Sequence, residues 1–239
     1  MQLSVVIPVY NEERNIGETL RRVEAFFSLK GISWEVCVVS DGSRDKTAEI
    51  VEEIQRLNPE LPLQFFRSDT NHGKGYTSRR GMLAARGRYV LLTDADLSAP
   101  IKEVDRLTAA LEKGADVAIG SRATGDKDCD IRQSVKRHIS GRIFNFFVQL
   151  LVLPGIQDSQ CGFKCFTHEA AQRLFSTQKL DGFSFDVEVL YLARKFGYRI
   201  DEVSVMWSQG LDSRVSLFRD SILMLKDLFK IKKLHSLLS

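Results

Sequence analysis

The stretch "VLLTDADLSAP", residues 90–100, runs four β-forming residues straight into Asp94-Ala95-Asp96. An apolar run without polar alternation predicts a strand covered on both faces, as in a parallel sheet packed between helices. Side chains of an extended segment alternate, so Asp94 and Asp96 are expected on the same side. Two carboxylates so placed repel each other unless a cation bridges them. Hard oxygen ligands suit Mg2+ or Mn2+, usually shared with substrate phosphates.

Outward from this point the chain alternates strand and helix. Strands are predicted at 3–9, 34–40, 63–68, 88–94 and 115–121, with helices over 11–27, 44–57, 74–86 and 101–113 between them. Ile16, Leu20, Val23 and Phe27 fall at helical spacing, and Pro100 suits the start of the helix that follows it. This order implies an α/β fold with a mostly parallel central sheet flanked by helices. Ligands of such sheets bind beyond the carboxyl ends of the strands. Those ends carry Pro8 to Glu12, Asp41-Gly42-Ser43, Asn71 to Gly75, Asp94-Ala95-Asp96 and Gly120-Ser121-Arg122. Ordinary loop chemistry accounts poorly for five polar strand ends.

The later pattern is different. A polar loop is expected at 123–132, an amphipathic to apolar helix at 133–153, a short strand at 161–167 and a short helix at 168–176. A helix at 185–197 ended by Gly197, a strand at 198–208 and an amphipathic helix at about 216–235 complete the chain.

With 239 residues, 44% hydrophobic and 27% charged, the chain has material for one large domain, or one domain with an appendage. Its start does not read as a signal peptide, and its longest apolar run, 143–153, is too short to span a bilayer. Four cysteines without a C-x-x-C pattern read as reduced thiols of a cytosolic protein rather than a zinc site.

Asn71-His72-Gly73-Lys74-Gly75 can cradle phosphate, with backbone made accessible by glycine and Lys74 opening a helix. It is neither a P-loop nor a dinucleotide fingerprint. The place after the first strand, where a Rossmann dehydrogenase carries its glycines, holds "PVYNEE". Asp41-Gly42-Ser43 reads equally as a turn with a helix cap.

Taken together, "VVIPVYNEERNI", "VVSDGSRDKT", "NHGKGYTSRRGM", "LLTDADLSAP" and "AIGSR" resemble the family 2 glycosyltransferases, which have the GT-A nucleotide-sugar fold. The resemblance implies a GT-A domain over 1–215, its donor half at 1–122 and acceptor half at 123–215, followed by a basic amphipathic helix at 216–239. It assigns Pro8, Tyr10, Glu12 and Asp41 to the base and ribose, and Lys74 and Arg122 to the nucleotide sugar. Asp94 and Asp96 would hold the metal against the diphosphate. Segments 142–175 and 183–217 resemble the polyprenyl-phosphate sugar transferases, especially the dolichyl-phosphate glucosyltransferase branch. Two departures stand out: Ser40 replaces an Asp, and Ser98 stands where relatives often place a Gln near the metal.

The implied reaction is inverting displacement at the sugar's anomeric carbon, moving glucose or mannose from a UDP- or GDP-sugar to a polyprenyl or dolichyl phosphate. A phosphate nucleophile is already largely anionic, so it needs cationic positioning more than a base. Arg122, Arg132 and Arg214 are candidates, with Arg214 first by resemblance. A hydroxyl acceptor would need a base, for which Asp186 is a better candidate than Glu188. A weakly catalytic nucleotide-sugar binder is a further alternative.

Arg219, Lys226, Lys230, Lys232 and Lys233, against Asp220 and Asp227, account for the whole net charge of +3. Interleaved with Leu217, Phe218, Ile222, Leu225, Leu228, Phe229 and Ile231, they suit a membrane surface, so peripheral attachment on the cytoplasmic face is expected. Core helices or a homodimer interface are the alternative uses. Aromatic stacking platforms for nucleic acid are not evident.

Overall fold

The computed structural model describes residues 1–122, 145, 147–208 and 219–236. Seven strands form one sheet: β1 (Leu3–Val9), β2 (Trp34–Asp41), β3 (Leu63–Ser68), β4 (Tyr89–Thr93), β5 (Val117–Ser121), β6 (Phe163–Thr167) and β7 (Ile200–Ser204). Their order is β3-β2-β1-β4-β6-β5-β7. Strand β6 runs antiparallel to both neighbours, and every other pairing is parallel. The expected α/β class with a mostly parallel sheet is the one observed.

Among the described residues, seven helices flank the sheet: α1 (Ile16–Ser28), α2 (Thr47–Leu57), α3 (Lys74–Ala84), α4 (Val104–Glu112), α5 (His168–Thr177), α6 (Phe185–Lys195) and α7 (Arg219–Leu234). A helical segment at 147–151 and a 3-10 turn at Ile101–Glu103 add to them. That turn follows Pro100, so the predicted helix tightens before α4 begins.

Side-chain alternation along β1 divides the core. Leu3, Val5, Ile7 and Val9 meet one apolar layer with Ile16, Leu20, Val23 and Phe27 of α1 and Leu107 of α4. Val6 meets the other, which holds Met82, Phe166, Phe175 and α6 residues from Phe185 to Ala193. Helix α7 docks on this second layer through Leu228 and Ile231, both essentially unexposed. The sequence reading placed these two residues on a face free for a membrane, but they are core. Phe229 and Lys226, Lys230, Lys232 and Lys233 are exposed on that helix. Among the described residues, no helix is long and apolar enough to cross a membrane.

Because β6 is reversed, its beginning lies at the edge where β1, β2, β4, β5 and β7 end. Residues 157–162 are thereby delivered to the same edge as Asp94 and Arg122. The neighbours of β1 are β2 and β4, so the order reverses there, where open α/β sheets form their binding crevice.

Candidate active site

Strand β4 ends at Thr93, and the backbone then turns, with Leu97 N–H donating to the Asp94 carbonyl at 3.2 Å. The expected extended geometry through Asp96 is therefore replaced by a turn. Leu97 takes a φ of +45°, a strained conformation for a side chain of this kind. Its side chain is 4% exposed in the first apolar layer, which holds the turn in place. Thr19 of α1 adds a hydroxyl donated to the Ala95 carbonyl.

The two aspartates are held differently. Asp96 is exposed, and both its oxygens accept from Ser98: Oδ1 from the backbone N–H at 3.0 Å and Oδ2 from Oγ at 2.8 Å. Ser98 thus orients Asp96, while its hydroxyl oxygen keeps lone pairs for a cation. Asp94 Oδ1 accepts from Lys74 Nζ at 2.6 Å. Its Oδ2 rests against Gly162, where a Cβ would stand only 1.9 Å away. Any side chain at 162 would push the Asp94 carboxylate aside.

Lys74 is the centre of the cluster. Burial disfavours its charge, but the carboxylates of Asp94, Asp186 and Asp96 outweigh burial and hold the ammonium above the ordinary lysine range. Asp186, distant in sequence, follows Phe185, whose Cβ a Cβ on Gly75 would approach to 2.8 Å, so the start of α6 packs against the start of α3. Asp186 Oδ1 accepts from Lys164 Nζ at 2.6 Å, and that buried ammonium also donates to the Cys161 carbonyl at 2.6 Å. Glu188, two residues on, faces elsewhere and is fully buried.

Lys74 opens α3 from a loop shaped by Asp41. Asp41 Oδ1 and Oδ2 accept the backbone N–H groups of His72 at 2.9 Å and Gly73 at 2.8 Å. At 3% exposure, Asp41 shapes this loop, and direct contact with a base would require the loop to part. Gly73, with φ +109°, abuts the Asp181 carbonyl, which a Cβ would approach to 2.4 Å.

Arg122 is committed to Asp158. Its Nε and Nη2 each donate at 2.7 Å, its backbone N–H donates at 3.0 Å, and the guanidinium lies 5.0 Å from the Trp207 ring centroid. Burial opposes both charges, yet this fork raises Arg122 further and holds Asp158 below the usual carboxylate range. Pro8 is buried near the end of β1, and Tyr10 and Glu12 follow it at the crevice. Glu12 accepts from Asn15 Nδ2 at 2.8 Å, and its N–H donates to Thr47 Oγ1 at 2.7 Å.

The structure brings Lys74, Asp94, Asp96, Ser98 and Asp186 into one cluster. Arg132, Arg214 and Cys129 lie outside the described residues. Gly162, Lys164, Asp158, Trp207 and the strained Leu97 escaped the sequence reading. "CGFK" offered one signal, a glycine just before a strand that opens toward the site. Among the described residues, no three His, Cys, Asp or Glu side chains converge as a metal site. Two carboxylates and a hydroxyl supply only hard oxygen donors, a set that fits Mg2+ or Mn2+ shared with phosphate oxygens. Cys37, Cys161 and Cys165 are buried, and burial pushes each thiol up to about 12.

The sheet and its switch point are those of the GT-A fold. Residues 4–175 match the model of glycosyl transferase family 2, and the chain belongs to that family. It is 36% identical over 240 residues to a dolichyl-phosphate beta-glucosyltransferase of Dictyostelium discoideum, covering 96% of this chain and 73% of the relative. The enzyme of the same name from Homo sapiens is 34% identical, over 97% of this chain and 75% of the relative. In fold, it is similar to a UDP complex of glucosyl-3-phosphoglycerate synthase from Mycobacterium tuberculosis, with TM-score 0.64 at 18% identity, covering 98% and 79% of the two chains. It is also similar to a Pyrobaculum calidifontis mannosyltransferase solved with GDP-Man and Mn2+, with TM-score 0.60 at 16% identity, covering 98% and 75%.

Proposed function

We propose that this protein transfers glucose from UDP-glucose to a dolichyl-type polyprenyl phosphate, with inversion at the anomeric carbon. The observation that carries the proposal is the Lys74–Asp94–Asp96 cluster at the sheet's switch point, in a chain 34–36% identical to dolichyl-phosphate beta-glucosyltransferases over nearly its whole length. Tyr10 and Glu12 border the crevice for the base and ribose, and the loop at 71–75 receives the diphosphate. Asp94 and Asp96, with Ser98 beside them, are the residues that would hold Mn2+ or Mg2+. When bound, that ion supplies positive charge to the departing diphosphate.

The arrangement of Asp186 favours a phosphate acceptor. The buried Lys164 holds Oδ1 of its carboxylate, so only Oδ2 is left to take a proton from a hydroxyl. A phosphomonoester arrives with its nucleophilic oxygen already ionised and needs no such base. What it needs is positive charge to offset repulsion between two anionic reactants, which the cluster's cations and Arg214 would provide. The exposed Phe229 among Lys226, Lys230, Lys232 and Lys233 suits contact with an anionic bilayer surface, where a lipid acceptor resides.

The test is transfer of radiolabelled glucose from UDP-glucose into a solvent-extractable, acid-labile lipid. Label in lipid only when a polyprenyl phosphate is supplied supports the reading. Label that never enters lipid with any polyprenyl phosphate overturns it.

A further inference from the structure

We infer that His235, on the turn after α7, is a positioning residue for the donor-phosphate loop and acts through Glu188. This rests on the reading of the loop at 71–75 as the diphosphate site. His235 and Glu188 are both fully buried, with Nε2 and Oε1 2.6 Å apart. Glu188 in turn holds a separate loop by its backbone: Oε1 accepts Lys179 N–H at 3.0 Å, and Oε2 accepts Leu180 N–H at 2.8 Å. The next residue's carbonyl, that of Asp181, accepts the N–H groups of Gly75 at 2.7 Å and Tyr76 at 3.3 Å. Gln178 ties the two loops a second time, donating to the carbonyls of Gly75 at 2.9 Å and Leu180 at 2.7 Å. One continuous set of bonds therefore leads from the turn after α7 to Gly75 and Tyr76, the two residues that follow Lys74.

This contact has little slack. A Cβ on Gly73 would lie 2.4 Å from the Asp181 carbonyl, so movement of 179–181 moves the first turn of α3. Simple space filling does not explain the histidine. Its Nδ1 is buried and has no hydrogen-bond partner among the described residues. An unpaired buried nitrogen is costly, and an apolar side chain of similar size would avoid it. The Nε2 contact with Glu188 is what a histidine adds there. A second polar tie, Ser184 Oγ to Asp227 Oδ2 at 2.7 Å, fixes α7 against the start of α6, so the imidazole is presented at a set depth.

Amide hydrogen exchange on the full-length protein tests this without substrate. His235→Ala is expected to speed exchange at Gly75, Tyr76, Lys179 and Leu180 by roughly tenfold, the scale of one lost hydrogen bond to a charged group. It should weaken UDP binding and raise the donor KM with kcat unchanged. His235→Gln, whose amide can still donate to Glu188, should restore both. Leu228→Ala is the control: it removes α7 packing without touching Glu188, so it should lower the melting temperature yet leave exchange at Gly75 and Tyr76 unchanged. If His235→Ala does not fold, Glu188→Gln replaces it, since the loss of one acceptor oxygen must speed the same four amides. Unchanged exchange at Gly75 and Tyr76 in the folded variant, or an equal rise in Leu228→Ala, overturns the inference. Because exchange is read without donor or acceptor, its failure leaves the transferase reading intact, and a failed lipid assay does not touch the relay.

Discussion

Two lysine–aspartate pairs meet near one carboxylate cluster with the same separation of 2.6 Å, and they differ in burial. Lys74 and Asp94 are 27% and 31% exposed, whereas Lys164 and Asp186 are 1% and 9% exposed. A partly hydrated pair of this kind contributes about 1 kcal/mol or less and opens readily. A buried pair cannot open without stranding a charge. The first pair can therefore open, and under the proposed function Lys74 would turn to the diphosphate as a cation takes Asp94. The second is a fixed part of the site wall.

The largest expected effect comes from breaking the fixed pair. Lys164→Met leaves Asp186 buried without its counter-charge and should cost about 3–5 kcal/mol in a urea melt. Adding Asp186→Leu should recover most of that loss, although transfer activity need not return. An equally large loss from Lys74→Gln would erase the distinction between the pairs. Next in size, Asp94→Asn or Asp96→Asn should lower transfer at least about a hundredfold, the scale of losing a charge-stabilising group, while the melt stays near that of the parent protein. Either variant with full activity would sink the assignment of these carboxylates.

Gly162→Ala sharpens the comparison from the other side. The new methyl would meet Asp94 Oδ2 at 1.9 Å and displace the carboxylate from Lys74. A shift on the scale of an ångström should lower activity roughly tenfold to a hundredfold. Ser98→Ala frees Oδ2 of Asp96 from the side-chain contact but keeps the backbone N–H bond to Oδ1, so about tenfold weaker Mn2+ binding in calorimetry is expected, with little change in stability.

Residues 1–122 were legible in the sequence because their strands are continuous apolar runs, each ending in residues that serve no core. Asp94 and Asp96 stood out for that reason. The turn that replaces extended backbone at 94–97 was not legible, since it depends on Leu97 accepting a left-handed conformation to place its side chain in the core. The reversal of β6 was equally hidden. Phe163 to Phe166 are buried on both faces, so "FKCFT" carries no alternation to reveal direction. Lys164 reads as a surface lysine until the sheet encloses it, and Gly162 matters only through its distance to a residue 68 positions earlier. The tail was misread at Leu228 and Ile231 because an amphipathic stripe looks the same whether it meets a membrane or a neighbouring helix.

The exchangeable pair makes one measurement decisive: the affinity of wild-type protein for Mn2+ by calorimetry, with and without saturating UDP. If Lys74 leaves Asp94 for the diphosphate, UDP should tighten Mn2+ binding roughly tenfold or more, within the usual range of coupling between two ligands. In Asp94→Asn that gain should vanish. Equal Mn2+ affinity with and without UDP, or a gain that survives in Asp94→Asn, would contradict the exchange of partners at this site.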